Sequence, residues 1–295
     1  MQGEMSSPFL EPILRHLNSE PSRTWSLVIT FYGDAILPRG GSVGLQTLAE
    51  VLGGMGVNDA AVRAAVSRLA ADGWLERRRL GRNSFYRLAE KGAGTFAEAA
   101  RRIYGPHAAG VEDDRLRLLL LPPEMAREPA REALRAAGYG AALPDLWLAP
   151  WDRTVPAEAR TAIALEARAG TAEARRLAAL AWDLEGIAAS YRRFLEPFGE
   201  VSGRMPEAGL PGLESLVARL LLIHEYRRVV LRDPFLPHGM LPADWPGGEA
   251  RRACADLYAR LLPASEAWLD AHAADEDGPL PAPGAELWRR FRDDM

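Results

Sequence analysis

The chain has 295 residues, of which 48% are hydrophobic and 26% are charged, a composition typical of a folded globular protein of about two domains. A single cysteine, Cys254, excludes an internal disulfide and a cysteine-based zinc site. No apolar run reaches the ~18 residues that a membrane-spanning helix needs, and the N-terminus lacks the pattern of a signal peptide. We therefore expect a cytoplasmic protein with no membrane partner.

The charge is distributed unevenly, although the net charge is only −4. Residues 60–91 contain eight basic and three acidic side chains, which gives this stretch a charge of +5 and leaves −9 for the rest of the chain. One basic module on an acidic body is typical of a nucleic-acid-binding protein. An ordinary arginine-rich surface would show the same pattern, so the charge alone leaves both interpretations open.

Three helices are predicted near the N-terminus. The first covers 23–37, where apolar residues recur at three- and four-residue steps, and a shorter one covers 45–52 before a glycine-rich turn. The third begins after an N-cap at Asn58 or Asp59 and ends at Gly73. Its outward face carries Arg63, Ser67 and Arg68 with small alanines between them, a surface that could approach base edges in a DNA groove. The alternative is a solvated helix face with incidental arginines.

A β-hairpin with an arginine-rich tip follows the third helix. Its predicted strands are 74–79 and 84–88, joined through a Gly-Arg-Asn reversal. Two helices, a turn, a third helix and a hairpin are the order of a winged helix-turn-helix, in which the helix after the turn enters the major groove. The residues that we expect to contact DNA are Asn58, Arg63, Ser67, Arg68, Arg77, Arg79, Arg82 and Asn83.

The rest of the chain has two further patterns. One strand from Arg115, one helix from Pro129 and two short strands predict a small α+β domain over 109–170. From Thr171 onward the apolar periodicity is helical, which predicts a helical domain over 171–295. Within it, the proline-rich segment 233–247 cannot be helix and is expected to form an ordered strap over a core.

We find no recognisable catalytic, metal or cofactor motif. The five histidines show no close metal-ligand spacing, and His224-Glu225 lacks the second histidine of a zinc hydrolase motif. The Gly53–Gly56 turn lacks the Lys-Ser/Thr of a phosphate-binding loop. Cys254 lies among small apolar residues and is expected to be packed rather than nucleophilic. The prediction is a protein that is not an enzyme.

Several segments resemble the PaaX family, repressors of phenylacetic acid degradation operons. The resembling segments are Asn58 to Leu69, Gly73-Trp-Leu-Glu-Arg-Arg-Arg, Gly81-Arg-Asn-Ser-Phe-Tyr-Arg-Leu, Trp182-Asp-Leu, Tyr191-Arg-Arg-Phe-Leu and the strap. They occur in order over nearly the whole chain. The resemblance implies a homodimeric repressor that binds a palindromic operator in double-stranded DNA and is released by an acyl-CoA effector, phenylacetyl-CoA or a related aryl-CoA.

The resemblance also completes the expected architecture. It implies a ferredoxin-like fold for the middle domain, so the fold class is α+β and mainly helical. The expected domains are a winged helix-turn-helix with a linking helix (1–108), a ferredoxin-like α+β domain (109–170) and a helical effector and dimerisation domain (171–295).

An acyl-CoA effector needs cations for its phosphates and an apolar slot for its aryl group. Four arginine pairs in the helical region could supply the cations: Arg175-Arg176, Arg192-Arg193, Arg227-Arg228 and Arg251-Arg252. We assign the effector to Arg192 and Arg193, with Trp182 and Tyr191 as the aromatic residues. Two other hypotheses stay open: an enzyme acting on acyl-CoA thioesters with a DNA-docking N-terminal module, and a chromatin or protein-interaction module without sequence preference.

Overall fold

A computed structural model of the chain describes residues 9–19, 22–106, 115–122, 128–206 and 209–292. The protein is an α+β protein and mainly helical, as predicted. The chain divides into two compact units, and each contains segments that are distant in sequence. The first unit comprises 1–106, 191–231 and 248–295, and the second comprises 107–190 and 232–247. The boundary at 108 lies outside the described residues, and the three-domain division stays a prediction.

The helices are α1 (Glu11–Ser19), α2 (Thr24–Phe31), α3 (Leu45–Gly53), α4 (Asp59–Ala71), α5 (Glu90–Tyr104), α6 (Glu128–Ala136), α7 (Thr171–Ala181), α8 (Leu184–Arg204), α9 (Gly212–Val230) and α10 (Gly247–His272). The strands are β1 (Ser42–Gly44), β2 (Leu75–Leu80), β3 (Asn83–Leu88), β4 (Arg115–Leu120), β5 (Gly140–Leu143), β6 (Leu146–Pro150), β7 (Ile163–Arg168), β8 (Ala274–Asp275) and β9 (Gly278–Pro279). Within the described ranges, no helix combines the length and the apolar character that crossing a bilayer requires.

The first unit is built around α9. Nearly every side chain of this helix from Ser215 to Tyr226 is buried, which is the pattern of a helix that other elements cover on all sides. Helices α2, α3 and α5 from the N-terminal part of the chain all pack against it. The predicted DNA-binding elements and the C-terminal helices therefore share one core.

A buried ionic cluster crosses this core. Arg219 on α9 donates to Asp34 at 2.7 Å and to Glu266 on α10 at 2.6 Å. Arg39 donates to the other oxygen of Glu266 at 2.6 Å, and Arg290 donates to Asp34 at 3.0 Å. All five side chains are at most 8% exposed. Because each charge faces an opposite charge, the cluster joins the N-terminal segment to α9, α10 and the C-terminal segment.

Asp34 lies in a π-helical turn that continues α2 over Tyr32–Ile36. The sequence predicts one continuous helix here, and the π-turn is a local departure of a kind that often occurs at functional positions. The same carboxylate accepts hydrogen bonds from the hydroxyls of Tyr104 at 2.8 Å and Tyr258 at 3.0 Å. Burial raises the pKa of both tyrosines above the ordinary value, so both remain protonated donors.

The second unit contains a four-stranded antiparallel sheet in the order β5-β6-β4-β7. Strand β5 is missing from the sequence-based expectation, because its four residues carry no apolar alternation. The helical pattern predicted from Thr171 onward is interrupted at Trp182, the residue that follows α7. A Cβ on Gly140 would approach the Trp182 ring to 2.5 Å, so the strand can pass this indole only with glycine at that position.

The strap is ordered, as expected. Leu236, Met240 and Leu241 are buried and pack with Ala178 of α7 in one apolar cluster, and Trp245 packs against it. Apolar anchors at this spacing offset the conformational entropy that a proline-rich segment loses when it is fixed.

Candidate nucleic-acid interface

Helix α4 begins and ends as the sequence predicts. The side chain of Asn58 accepts a hydrogen bond from the Ala61 amide at 2.9 Å, which makes it the N-cap. At the other end Gly73 has φ +74°, a left-handed conformation that favours glycine. The side-chain oxygen of Asn58 is thus used within the helix. Its side-chain NH2 group is the part that could reach DNA.

The two faces of α4 are segregated. Val62, Val66 and Leu69 are buried, and the helix packs against α2 and α3. Arg63, Ser67 and Arg68 are exposed on the opposite face, as are the small residues Ala60 and Ala64. Arg68 is 71% exposed and lies 3.7 Å from Asp72, a contact that contributes little at a solvated surface. The outward face is open to an external partner over its whole length.

Strands β2 and β3 form the predicted hairpin, and β2 packs on α4. Gly81 turns the chain with φ +57°, and Arg82 and Asn83 are exposed beside it at the tip. Arg77 donates to Ser84 across the hairpin at 3.0 Å, and Arg79 donates to the Gly81 carbonyl at 3.2 Å. These hydrogen bonds hold the two arginines along the hairpin, where both are exposed.

The hairpin belongs to a three-stranded sheet in the order β1-β3-β2, and the C-terminal segment braces this sheet. Arg87 on β3 donates to Glu276 at 2.8 Å, and Arg78 on β2 donates to the same oxygen at 3.2 Å. The hydroxyl of Ser42 on β1 donates to the other carboxylate oxygen. Burial alone would raise the pKa of Glu276, but the hydrogen bonds from Ser42 and Arg87 lower it to about 2.

Sequence reasoning missed Glu276 and the strand β1. Strand β1 has only three residues. Glu276 lies in the turn between the two-residue strands β8 and β9, more than 180 residues after its partners. Local patterns contain no signal for such a contact. Its effect is that Arg78 and Arg87 share one carboxylate within the protein, whereas Arg63 and Arg82 have no carboxylate within ion-pair distance among the described residues.

The residues that we assign to the effector are divided between the two compact units. Trp182 lies in the second compact unit, whereas Tyr191, Arg192 and Arg193 lie in the first. Tyr191 is buried in the core at 2% exposure, and the two arginines are on the exposed face of α8. The assignment of the effector to these four residues stays a prediction.

The described residues contain no group of three or more histidine, cysteine, aspartate or glutamate side chains that could hold a metal ion. Cys254 is fully buried on α10, and burial raises the pKa of its thiol well above the ordinary value. A buried, protonated thiol is a poor nucleophile.

Comparisons with known proteins identify the family of the chain. A family model described as "PaaX-like protein" matches residues 23–92, and one described as "PaaX-like protein C-terminal domain" matches residues 182–271. The transcriptional repressor PaaX of Escherichia coli (strain K12) is 35% identical over an alignment of 302 positions, which covers 96% of this chain and 94% of that protein.

A solved structure, an uncharacterized protein from Mycobacterium tuberculosis, has a similar fold. The TM-score is 0.50 at 22% sequence identity, with 88% of this chain and 97% of that chain covered. At this identity the similarity concerns the fold alone.

Proposed function

The chain belongs to the PaaX family, and from that membership we propose that it is a DNA-binding transcriptional repressor of a phenylacetic acid catabolic operon. The observation that carries the proposal is the outward face of α4. Arg63, Ser67 and Arg68 are exposed on a capped helix, beside a hairpin whose tip presents Arg82. Exposed guanidinium groups can bind guanine edges and phosphates, and small alanines between them allow a helix to approach the bases.

The proposal includes a winged helix-turn-helix. The order α3, turn, α4, β2, β3 supports it, with α4 as the recognition helix and the hairpin as the wing. A domain of this kind reads one half-site. A palindromic operator therefore requires two copies of the chain, and the proposed assembly is a homodimer with recognition helices about one duplex turn, or a multiple of it, apart.

The middle of the chain is proposed to be ferredoxin-like. When the strands β4 to β7 are numbered 1 to 4, the sheet order is 2-3-1-4, which supports this proposal. Helix α6 connects the first two of these strands. The departure is the connection from β6 to β7, where the second crossover helix of that fold is replaced by a short 3-10 turn at Ala157–Ala159.

The proposed regulation is release from the operator by an aryl-CoA thioester such as phenylacetyl-CoA. The competing hypothesis is an enzyme that acts on such thioesters, and the two hypotheses differ in one measurable product. Hydrolysis of the thioester liberates a free thiol, whereas a sensor binds the compound and leaves it intact.

The test is a mobility shift of the DNA upstream of the gene at defined salt, with the full-length protein and a panel of aryl-CoA compounds. We expect a specific complex that at least one member of the panel dissociates, without release of thiol. Equal affinity for scrambled DNA would contradict sequence-specific repression, and thiol release with turnover would support the enzyme. Sedimentation that shows only monomers at concentrations where the operator is bound would contradict the dimer.

A further inference from the structure

The first unit contains a cavity behind the recognition helix. Its volume is about 380 Å³, within the range of small-molecule sites. Side chains from α2, α4, α5 and α9 line it, and they include Ile29, Leu69, Phe96, Ala100, Ile223 and Arg227. We call this space the α4 cavity. Every residue that lines it belongs to the first compact unit.

The walls of the α4 cavity suit a flat apolar group. Besides aliphatic side chains, the indoles of Trp25 and Trp74 and the rings of Phe96 and Tyr104 line it. Trp25 is 38% exposed, so one wall reaches solvent and offers an entrance. An aromatic ring can bury its faces against such walls and gain both apolar burial and ring contacts.

One cation in this cavity lacks a counterion. Arg227 donates from Nε to Thr30 at 2.8 Å and from Nη2 to the Ser26 carbonyl at 3.0 Å and to its hydroxyl at 2.5 Å. Among the described residues, no carboxylate lies within ion-pair distance of Arg227, and its Nη1 makes no hydrogen bond. Burial lowers the pKa of this guanidinium from its ordinary value. An anion or a carbonyl oxygen at Nη1 would relieve the cost of burying the charge.

The carboxylates around Arg227 do not fill that role. Glu225 raises the pKa of Arg227 through space, but it lies beyond ion-pair distance and pairs with Arg228 at 3.1 Å. Asp34 also lines the cavity, but it already accepts hydrogen bonds from Arg219, Arg290 and Tyr104. Its charge is balanced within the buried cluster. The uncompensated charge that faces the cavity is therefore positive.

We propose that the α4 cavity binds an aromatic group that carries one carboxylate or carbonyl oxygen, with that oxygen on Arg227, and that occupancy changes DNA binding through α4. The regulatory part rests on the proposed repressor function, whereas the binding site itself does not. Both a free arylalkanoic acid and its thioester contain this chemistry. The volume accommodates a ring with a short chain, so the rest of a thioester would extend outward past Trp25.

The coupling has a direct structural basis. Leu69, on the buried face of α4, lines the cavity, and the exposed residues Arg68 and Asp72 lie at its rim. Trp74 at the start of the hairpin continues the same wall. A ligand can shift an equilibrium only by contacting the two states differently. A ligand in this cavity contacts the elements that carry Arg63 and Arg82 on their outer side.

The test measures binding of phenylacetate, phenylacetyl-CoA and coenzyme A alone to the full-length protein by calorimetry, without DNA. Two variants alter the cavity: Ala100→Phe fills it and removes no hydrogen bond, and Arg227→Gln removes the cation. Each has a matched control outside the cavity: Ala97→Phe on the exposed face of α5, and Arg228→Gln, whose guanidinium pairs with Glu225. Circular dichroism and thermal unfolding without ligand establish that each variant is folded.

We expect phenylacetate, phenylacetyl-CoA or both to bind, and coenzyme A alone not to bind. Both cavity variants should weaken binding about tenfold or more, the effect of losing one charge-assisted hydrogen bond or the space for the ring, while the controls stay near wild type. Binding of the thioester alone identifies it as the source of the aromatic group. Unchanged affinity in folded Ala100→Phe, or equal binding of coenzyme A, would overturn the site. Ligand binding without specific DNA binding would instead reject the repressor function and keep the site.

Discussion

Asp34 Oδ2 accepts a hydrogen bond from Arg219 Nε at 2.7 Å, and neither side chain is exposed to solvent. The two residues lie 185 positions apart, one in the N-terminal part of the chain and one on α9. Burial would lower the pKa of Arg219, but Asp34, Tyr258 and Glu266 together raise it above the ordinary value. The guanidinium is therefore charged, and its stability in the core depends on Asp34.

Asp34→Asn should destabilise the protein strongly. The substitution preserves the shape of the side chain but leaves the guanidiniums of Arg219 and Arg290 less compensated in the core, which costs about 3 to 5 kcal/mol when a buried ion pair loses one partner. Denaturant unfolding followed by circular dichroism measures the change. The control is Asp270→Asn, because Asp270 pairs with Arg39 at 2.8 Å but is 60% exposed. We expect at most about 1 kcal/mol for the control, and equal losses in the two variants would contradict the argument.

Arg63→Ala should weaken operator binding by ~1 to 3 kcal/mol and relax sequence preference at one position, because the outward face of α4 is proposed to contact bases. Arg68→Ala should have a similar effect. Titration of labelled operator and a single-substitution panel at constant salt checks both. Arg176→Ala, an exposed arginine on α7, serves as the control. If Arg63→Ala binds the operator as tightly as wild type, Arg63 does not contact the bases.

Arg82→Ala should weaken specific and nonspecific DNA equally. The hairpin tip is proposed to contact phosphate, and loss of one such contact reduces the slope of log K against log salt by about 1. Measuring affinity at four salt concentrations gives the slope. Arg82→Lys retains the charge and should retain the slope. Selective loss of sequence preference in Arg82→Ala would show instead that the tip contacts bases.

His224 should make the protein acid-sensitive. Burial, together with Arg227 and Arg228, lowers its pKa from 6.5 to about 3. Nδ1 lies 2.9 Å from the Thr30 hydroxyl. That hydroxyl donates its one proton to the Ser26 carbonyl and accepts from Arg227. Nδ1 therefore carries the ring proton and donates to Thr30. The neutral ring then accepts at Nε2 from Ser22 at 2.8 Å.

The direction of the pH dependence follows. Below pH 6.5 the unfolded chain binds a proton at His224 that the folded protein does not bind until about pH 3, so stability is complete above pH 6.5 and falls as pH decreases. The expected loss is about 1.4 kcal/mol per pH unit in that window. Unfolding of wild type and His224→Gln between pH 7.5 and 5 checks it. The variant should show a shallower dependence, and exposed His238→Gln should match wild type; parallel curves for His224→Gln and wild type would exclude His224 as the cause.

The features that the sequence predicts are those that depend on neighbouring residues. The cap at Asn58, the stop at Gly73 and the apolar face of α4 each follow from a pattern within one turn or one helix. The hairpin follows from the glycine reversal between two short strands. In the same way, the proline content of the strap predicts that it is not helical, and its apolar residues predict that it is anchored.

The features that the sequence does not predict are those that join distant segments. Asp34 and Arg219 look like ordinary surface charges in a linear pattern, and no periodicity pairs them. The α4 cavity arises where four separate helices meet. In the sequence Arg227 is a member of one of four arginine pairs, and only the fold brings it to Thr30.

The contact of Glu276 with Ser42, Arg78 and Arg87 has a consequence for biosynthesis. A nascent chain emerges with the hairpin first and with Glu276, the carboxylate that braces it, 189 residues after Arg87. Until that segment has left the ribosome, Arg78 and Arg87 have no partner at position 276. The three-stranded sheet is therefore completed after translation of the hairpin, when a distant segment of the chain folds back onto it.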